Sequence, residues 1–239
     1  MRRIFSLCVL CLLWPVGATA ISLRVAPVLL DVTAPQGATK LTLRNDNKQT
    51  LQVQLRVFRW IQDPGGDRLI PTSDVVVSPP MMTLTPNTEN VVRVIRVATH
   101  PVNAEESYRV LVDELPDPAQ RRNGVVSLVV RQSIPVFFAN PDATPASVTW
   151  SIKRGPNSYI VSAANAENKR LRVSMLRLAN RQGTSLAQSA GLVGYVLGGS
   201  QVSWSIQANH AAAYPDSLKL TADTEADAID VTTKLLAPR

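Results

Sequence analysis

Cysteine is nearly absent from the 239-residue chain: the only two, Cys8 and Cys11, fall within the first twenty residues. Everything after Ala20 is therefore without a disulfide framework, a thiolate nucleophile or a cysteine zinc site. Histidine is as scarce, with only His100 and His210, both beside loop residues in different halves of the chain. A hydrolase triad needs a base within reach of a nucleophile and a third group to orient it. Neither histidine has a spacing that suggests one, and there is no Gly-x-Ser-x-Gly turn. A phosphate-cradling glycine loop is missing too, since Gly198-Gly199 follows a strand pattern but no helix pattern follows it. Aromatic residues make up only 5% of the chain, and the basic residues are scattered, apart from a few adjacent pairs such as Arg121-Arg122 and Lys169-Arg170. Without aromatic interleaving, that distribution excludes a nucleic-acid surface and reads as solubility. No enzyme class, cofactor or metal is expected.

No apolar run reaches the roughly 20 residues needed to span a bilayer. The longest, Ile4 to Leu13, follows Arg2-Arg3 and precedes Ala18-Thr19-Ala20, the layout of a cleaved export signal over 1–20. A lipid anchor on Cys8 or Cys11 is the competing reading, disfavoured because small residues do not precede them in the apolar run. Loss of Arg2 and Arg3 would lower the formal charge from +7 to +5. The expected product is an exported protein that holds its fold without disulfides.

What is abundant is β structure. Short apolar runs rich in valine and threonine alternate with period two and are punctuated by proline and turn residues. Candidate strands are Ser22–Val32 (with Pro27 suggesting an edge or a switch between sheets), Ala38–Arg44, Leu51–Trp60, Asp74–Ser78, Val91–Val97 and Ser107–Leu115. The stretch Asn123–Arg131, running on through Ile134-Pro135-Val136-Phe137-Phe138, completes about seven strands, the number and spacing of an immunoglobulin-like sandwich. Asn140-Pro141-Asp142-Ala143-Thr144-Pro145 reads as a linker. Seven further short strands between Val148 and Leu235 make a second, smaller sandwich. The expected fold is all-β, with a first domain over 21–139, a linker over 140–146 and a second domain over 147–239. Met81-Met82 after Pro79-Pro80 reads as loop apolar contact, and Glu114 in the Asp113-Glu114…Asp117 cluster as a structural ion pair.

The stretch around Val126-Ser127-Leu128-Val129-Val130 admits two readings. Val126, Leu128 and Val130 share one face of an extended chain. Periodicity alone favours a strand inside the sandwich; the alternative is an apolar edge that another chain completes. The preceding Pro116–Asn123 segment is polar and reads as a mobile loop that could shield such an edge.

Several motifs, in order, resemble the periplasmic pilus chaperones of the PapD-like family. They are Asn45-Asp46-Asn47-Lys48-Gln49, Ser78-Pro79-Pro80, Asn90-Val91-Val92-Arg93-Val94, Ser107-Tyr108-Arg109-Val110, Asp113-Glu114-Leu115-Pro116 and Ile134-Pro135-Val136-Phe137-Phe138. The forms around Arg56–Trp60 and Tyr108–Pro116 look like the archaic branch, whose subunits resemble spore-coat protein U. The resemblance implies two immunoglobulin-like domains in a boomerang, working in the periplasm. It implies that fimbrial subunits lacking their last strand are capped by donor-strand complementation and delivered to an outer-membrane usher, with no nucleotide or other cofactor. By position, Val126, Leu128 and Val130 are the residues lent to the subunit, an instance of strand addition to an open sheet. The family's two carboxylate-binding cations are missing, since Leu29 and Pro135 stand at those positions; Arg131 and Arg24 are the nearby candidates. The family's internal ion pair would retain Glu114, with Asp227 as a third member, but Ala139 or Asn140 stands where its arginine belongs. An exported structural β-sandwich without chaperone activity is the alternative function.

Overall fold

The computed structural model describes residues 23–63, 66–116, 129–209 and 215–236, and contains strands, turns and loops with no helix among them. The first ten strands are β1 (Leu23–Ala26), β2 (Leu30–Thr33), β3 (Ala38–Asn45), β4 (Leu51–Asp63), β5 (Gly66–Pro71), β6 (Val75–Ser78), β7 (Met81–Leu84), β8 (Glu89–Arg96), β9 (Glu105–Leu115) and β10 (Arg131–Ala139). They form a sheet of order β1-β3-β8-β6 facing a second of order β2-β10-β9-β4-β5, with β7 also paired to β4. The period-two apolar residues meet between the sheets. Leu41, Leu43, Val92 and Val94 from one, and Val53, Leu55, Tyr108, Val110, Val136 and Phe138 from the other, are essentially fully buried in one core.

The expected single strand over Ser22–Val32 is two strands in two different sheets. Pro27 has no N–H to give a ladder, and the chain crosses there: β1 pairs antiparallel with β3, and β2 pairs parallel with β10. Met81-Met82 is a strand rather than a loop, Met82 pairing with Val53 and packing on the core while Met81 is left exposed. Pro79-Pro80 carries the chain from the β6 sheet to this position in the other. Strand β5 has no apolar alternation to announce it; its residues are largely exposed and it exists by pairing with β4.

The remaining strands are β11 (Val148–Arg154), β12 (Ser158–Asn165), β13 (Leu171–Ala179), β14 (Ser185–Val196), β15 (Gln201–Gln207), β16 (Ser217–Asp223) and β17 (Ala228–Leu236). They run β14-β13-β16-β17-β11-β12-β15 and fold over a second core that includes Ile152, Tyr159, Val161, Leu176, Leu178, Leu218 and Leu220. Strand β14 is far longer than the expected Gly194–Leu197; its central residues are exposed and carry no alternation. The two-sandwich, all-β architecture expected from the sequence is the one observed.

A buried asparagine closes a turn in the same way in each half. Asn45 donates to the carbonyls of Gln49 and Leu84 and accepts from the Asn47 amide. Asn165 donates to the Lys169 carbonyl and accepts from the amides of Glu167 and Ser147.

Candidate binding edge and interdomain cleft

Strand β10 pairs along its whole length with β9, from Arg131↔Asp113 to Ala139↔Glu105. On its other side β2 covers only Val136–Ala139, because β1 has left for the opposite sheet. Arg131–Pro135 therefore has no ladder partner on that side among the described residues. The Val130 carbonyl accepts from the Glu114 amide, so Val130, Gln132 and Ile134 turn their backbone groups to β9, while those of Arg131 and Ser133 face the open side. Pro135, on the same parity, costs the β9 ladder nothing. The Gln132 side chain reaches across to the Leu23 carbonyl, 2.7 Å away. Val130, just before the strand, is half-buried and Val129 is exposed. Val126 and Leu128 lie outside the described residues, as do most of the Pro116–Asn123 segment and Asp117.

The outward face of this sheet carries a line of arginines. Asp113 is gripped by Arg131 and by Arg56, the latter at 2.7 Å. Burial pushes the Asp113 carboxyl up, but hydrogen bonds from Arg131 and Arg56 outweigh it and hold it below the usual carboxylate range. Arg24 is bound to Asp46 at 2.8 Å, which Arg44 also holds at 2.7 Å. Both arginines expected to be available for a carboxylate thus already have one. Glu114 forms no ion pair among the described residues; its neighbour Asp113 is the paired acid.

Arg109 is different. It sits opposite Pro135 in the β9–β10 register, and its guanidinium lies 3.7 Å over the ring of Trp60. Burial lowers its pKa, and among the described residues it has neither a salt bridge nor a hydrogen-bond acceptor. Trp60 is 2% exposed and belongs to a cluster with Phe137, Tyr195 and Leu197, with Leu29 against it. Trp60 and Tyr195 meet edge to face at 5.6 Å, and Phe137 and Tyr195 at 5.6 Å. Trp60, Phe137 and Leu29 come from the first sandwich and Tyr195 and Leu197 from the second, so this cluster is the floor of the cleft between them. Leu29, where one cation was expected, is an apolar contact of that floor, and Pro135, at the other position, is buried in β10.

Arg170 closes the cleft at its other side. From the loop before β13 it binds Glu105 and Asp31 of the first sandwich, each at 2.5 Å, and Glu225 of the second at 3.5 Å. Its guanidinium carbon lies 3.8 Å from the centre of the Phe137 ring. Burial raises the Glu105 carboxyl despite Arg170. The ion pairs that join the two sandwiches here are those of Arg170 with Glu105 and Asp31, with Glu225 as the third acid; neither Glu114 nor Asp227 is among its partners. Nothing local to position 170 announces this; only the approach of the two sandwiches does.

His100 lies against Arg96, which Glu106 binds through both oxygens at 2.8 Å, while Tyr108 donates to Glu106. Arg96, Glu106 and Tyr108 form a charge network in the first sandwich, with His100 exposed at its margin. His210 lies outside the described residues. Among those residues, no three histidine, cysteine, aspartate or glutamate side chains gather as a metal site, and no helix is long and apolar enough to cross a membrane.

The fold and the open edge define a class: a two-sandwich protein whose first domain ends on an incompletely covered strand. Residues 22–145 match the family model described as pili and flagellar-assembly chaperone, PapD N-terminal domain. The chain belongs to this family of pilus-assembly chaperones. Solved structures of the same architecture include the CsuC–CsuE chaperone–tip adhesion subunit pre-assembly complex of archaic Csu pili from Acinetobacter baumannii, with 23% identity over 92% of this chain and 100% of that one, TM-score 0.65. The YadV chaperone follows at 14% identity, 90% and 100% coverage and TM-score 0.62. The Salmonella enterica SafA pilin–SafB chaperone complex gives 13% identity, 91% and 99% coverage and TM-score 0.62. No curated protein sequence matches the chain.

Proposed function

We propose that the protein caps fimbrial subunits by lending them the strand that begins before β10, and hands them to an outer-membrane usher. The observation that carries this reading is the side of Arg131–Pro135 that has no ladder partner among the described residues, where β1 and β2 divide between the sheets. Exposed strand edges invite pairing with another chain, and here the exposed edge continues the alternating Val126, Leu128 and Val130. Burying each of those side chains in a subunit groove is worth roughly 1.5–3 kcal/mol before ordering costs are subtracted. Export to the periplasm by a cleaved segment over 1–20, domains over 21–139 and 147–239, a linker over 140–146 and the archaic branch of the family are part of the same reading.

The cleft residue best suited to hold the carboxylate end of a subunit is Arg109. It is half-buried, stacked on Trp60 and without an acceptor among the described residues, whereas Arg131 and Arg24 are already paired. A guanidinium binds a carboxylate through two parallel hydrogen bonds, and the indole Nε1 of Trp60 is likewise buried without an acceptor. Co-expression with the subunit encoded beside it is the test. Wild type should give a soluble one-to-one complex, and Leu128→Glu should give none while remaining folded. Equal protection by both proteins would overturn strand donation.

A further inference from the structure

We propose that Gln62 is the positioning residue that sets the angle between the two sandwiches, its side-chain amide standing in for the N–H and C=O of a strand residue on the edge of β14 at Tyr195–Leu197. Strand β14 ends the seven-stranded sheet; β13 lies along one side, and the other is bridged near its start by Ala208 on Ala187, leaving Tyr195–Leu197 without a strand there among the described residues. The Gln62 Nε2 donates to the Tyr195 carbonyl at 2.9 Å, and its Oε1 accepts from the Leu197 amide at 2.9 Å. Donation to residue 195 and acceptance from residue 197 is the pattern that the N–H and C=O of one residue make with a parallel strand across Val196. The second Nε2 hydrogen goes to Asp67 on the neighbouring strand, at 2.9 Å. Every strong bonding position of the amide is in use except one oxygen lone pair, and a flipped amide would set Nε2 against the Leu197 N–H. The orientation is therefore fixed by the partners.

The position of this contact gives it leverage. Gln62 lies two residues beyond Trp60 on β4, and Tyr195, whose carbonyl it holds, has its ring against Trp60. Besides Gln62 the interface holds a small apolar cluster, which resists separation but not sliding, the Arg170 cluster, and a longer bond of 3.3 Å from the Glu105 amide to the Asn168 carbonyl at the Arg170 side. Hydrogen bonds are directional where apolar contact is not. Gln62 thus fixes where the second sandwich stands over Arg109 and the mouth of the cleft.

Residual dipolar couplings on the full exported chain, without subunit, read the angle directly. Wild type should fit one alignment tensor for both sandwiches; Gln62→Leu, which keeps the bulk and removes both hydrogen bonds, should need two. Gln62→Glu should need two at pH 7.5 and return to one at pH 4.0, where a protonated carboxyl again offers one donor and one acceptor; wild type at both pH values is the reference. A single tensor in Gln62→Leu overturns the proposal, as does failure of Gln62→Glu to recover in acid. The inference rests on the proposed function only for why the angle matters. Subunit capture is scored separately with Leu128→Glu, so either reading can fail without the other.

Discussion

Arg170 of the second sandwich is clasped by Glu105 of the first, with the guanidinium 92% and the carboxylate 97% shielded from solvent as side chains. A charge so placed depends on its partner, because burial in low dielectric without one is costly. Arg170→Ala should lower stability by about 3–5 kcal/mol. Arg170→Ala together with Glu105→Gln should recover part of the loss, since the unpaired buried carboxylate is then gone. Denaturant unfolding of the single and double variants checks this; equal stability of Arg170→Ala and wild type would contradict it.

The pairs of Asp113 and Glu106 set the response to acid. Burial pushes both carboxyls up, but arginine hydrogen bonds, from Arg131 and Arg56 for Asp113 and from Arg96 for Glu106, leave both below their ordinary values. A carboxylate whose folded pKa is depressed contributes stability that is present above its unfolded pKa and lost as pH falls through the folded one. Stability should therefore fall on acidification below the ordinary carboxylate range, and less steeply in Asp113→Asn. Melting temperatures from pH 7 down to pH 3 give the slope.

Asn45 and Asn165 each satisfy several backbone groups from a buried position. Replacement by alanine strands those carbonyls and amides, at about 1–3 kcal/mol per site. The two losses should add, because the residues lie in separate cores and share no partner. Calorimetry of the single and double variants tests both statements.

For the cleft, Arg109→Glu should reduce subunit capture by more than tenfold while leaving the melting temperature within a few degrees. Arg109→Lys should retain part of the activity, having one point charge instead of a planar fork. Arg131→Ala should be the milder change for capture. Pull-down of the subunit at matched expression ranks the three; a stronger effect from Arg131→Ala would move the carboxylate site to Arg131.

The sequence determined the all-β class and most of the strand positions, because period-two burial and turn chemistry are local properties. Leu41-Thr42-Leu43 and Val92-Arg93-Val94 can be extended chains with one buried face and little else. It misread what depends on pairing. β5 and the middle of β14 have no alternation, and Met81-Met82 is a strand only because β4 lies beside it. The site divided in the same way. Val126, Leu128 and Val130 were legible as an alternating apolar run, but whether an arginine is free or paired is a fact about distant neighbours. Asp46 and Asp113 occupy Arg24 and Arg131, while Arg109 lies over Trp60 with no ion pair among the described residues. Charges find partners across sheets and across the cleft, through contacts of 2–4 Å between residues up to 139 positions apart. Only the tertiary structure decides such contacts.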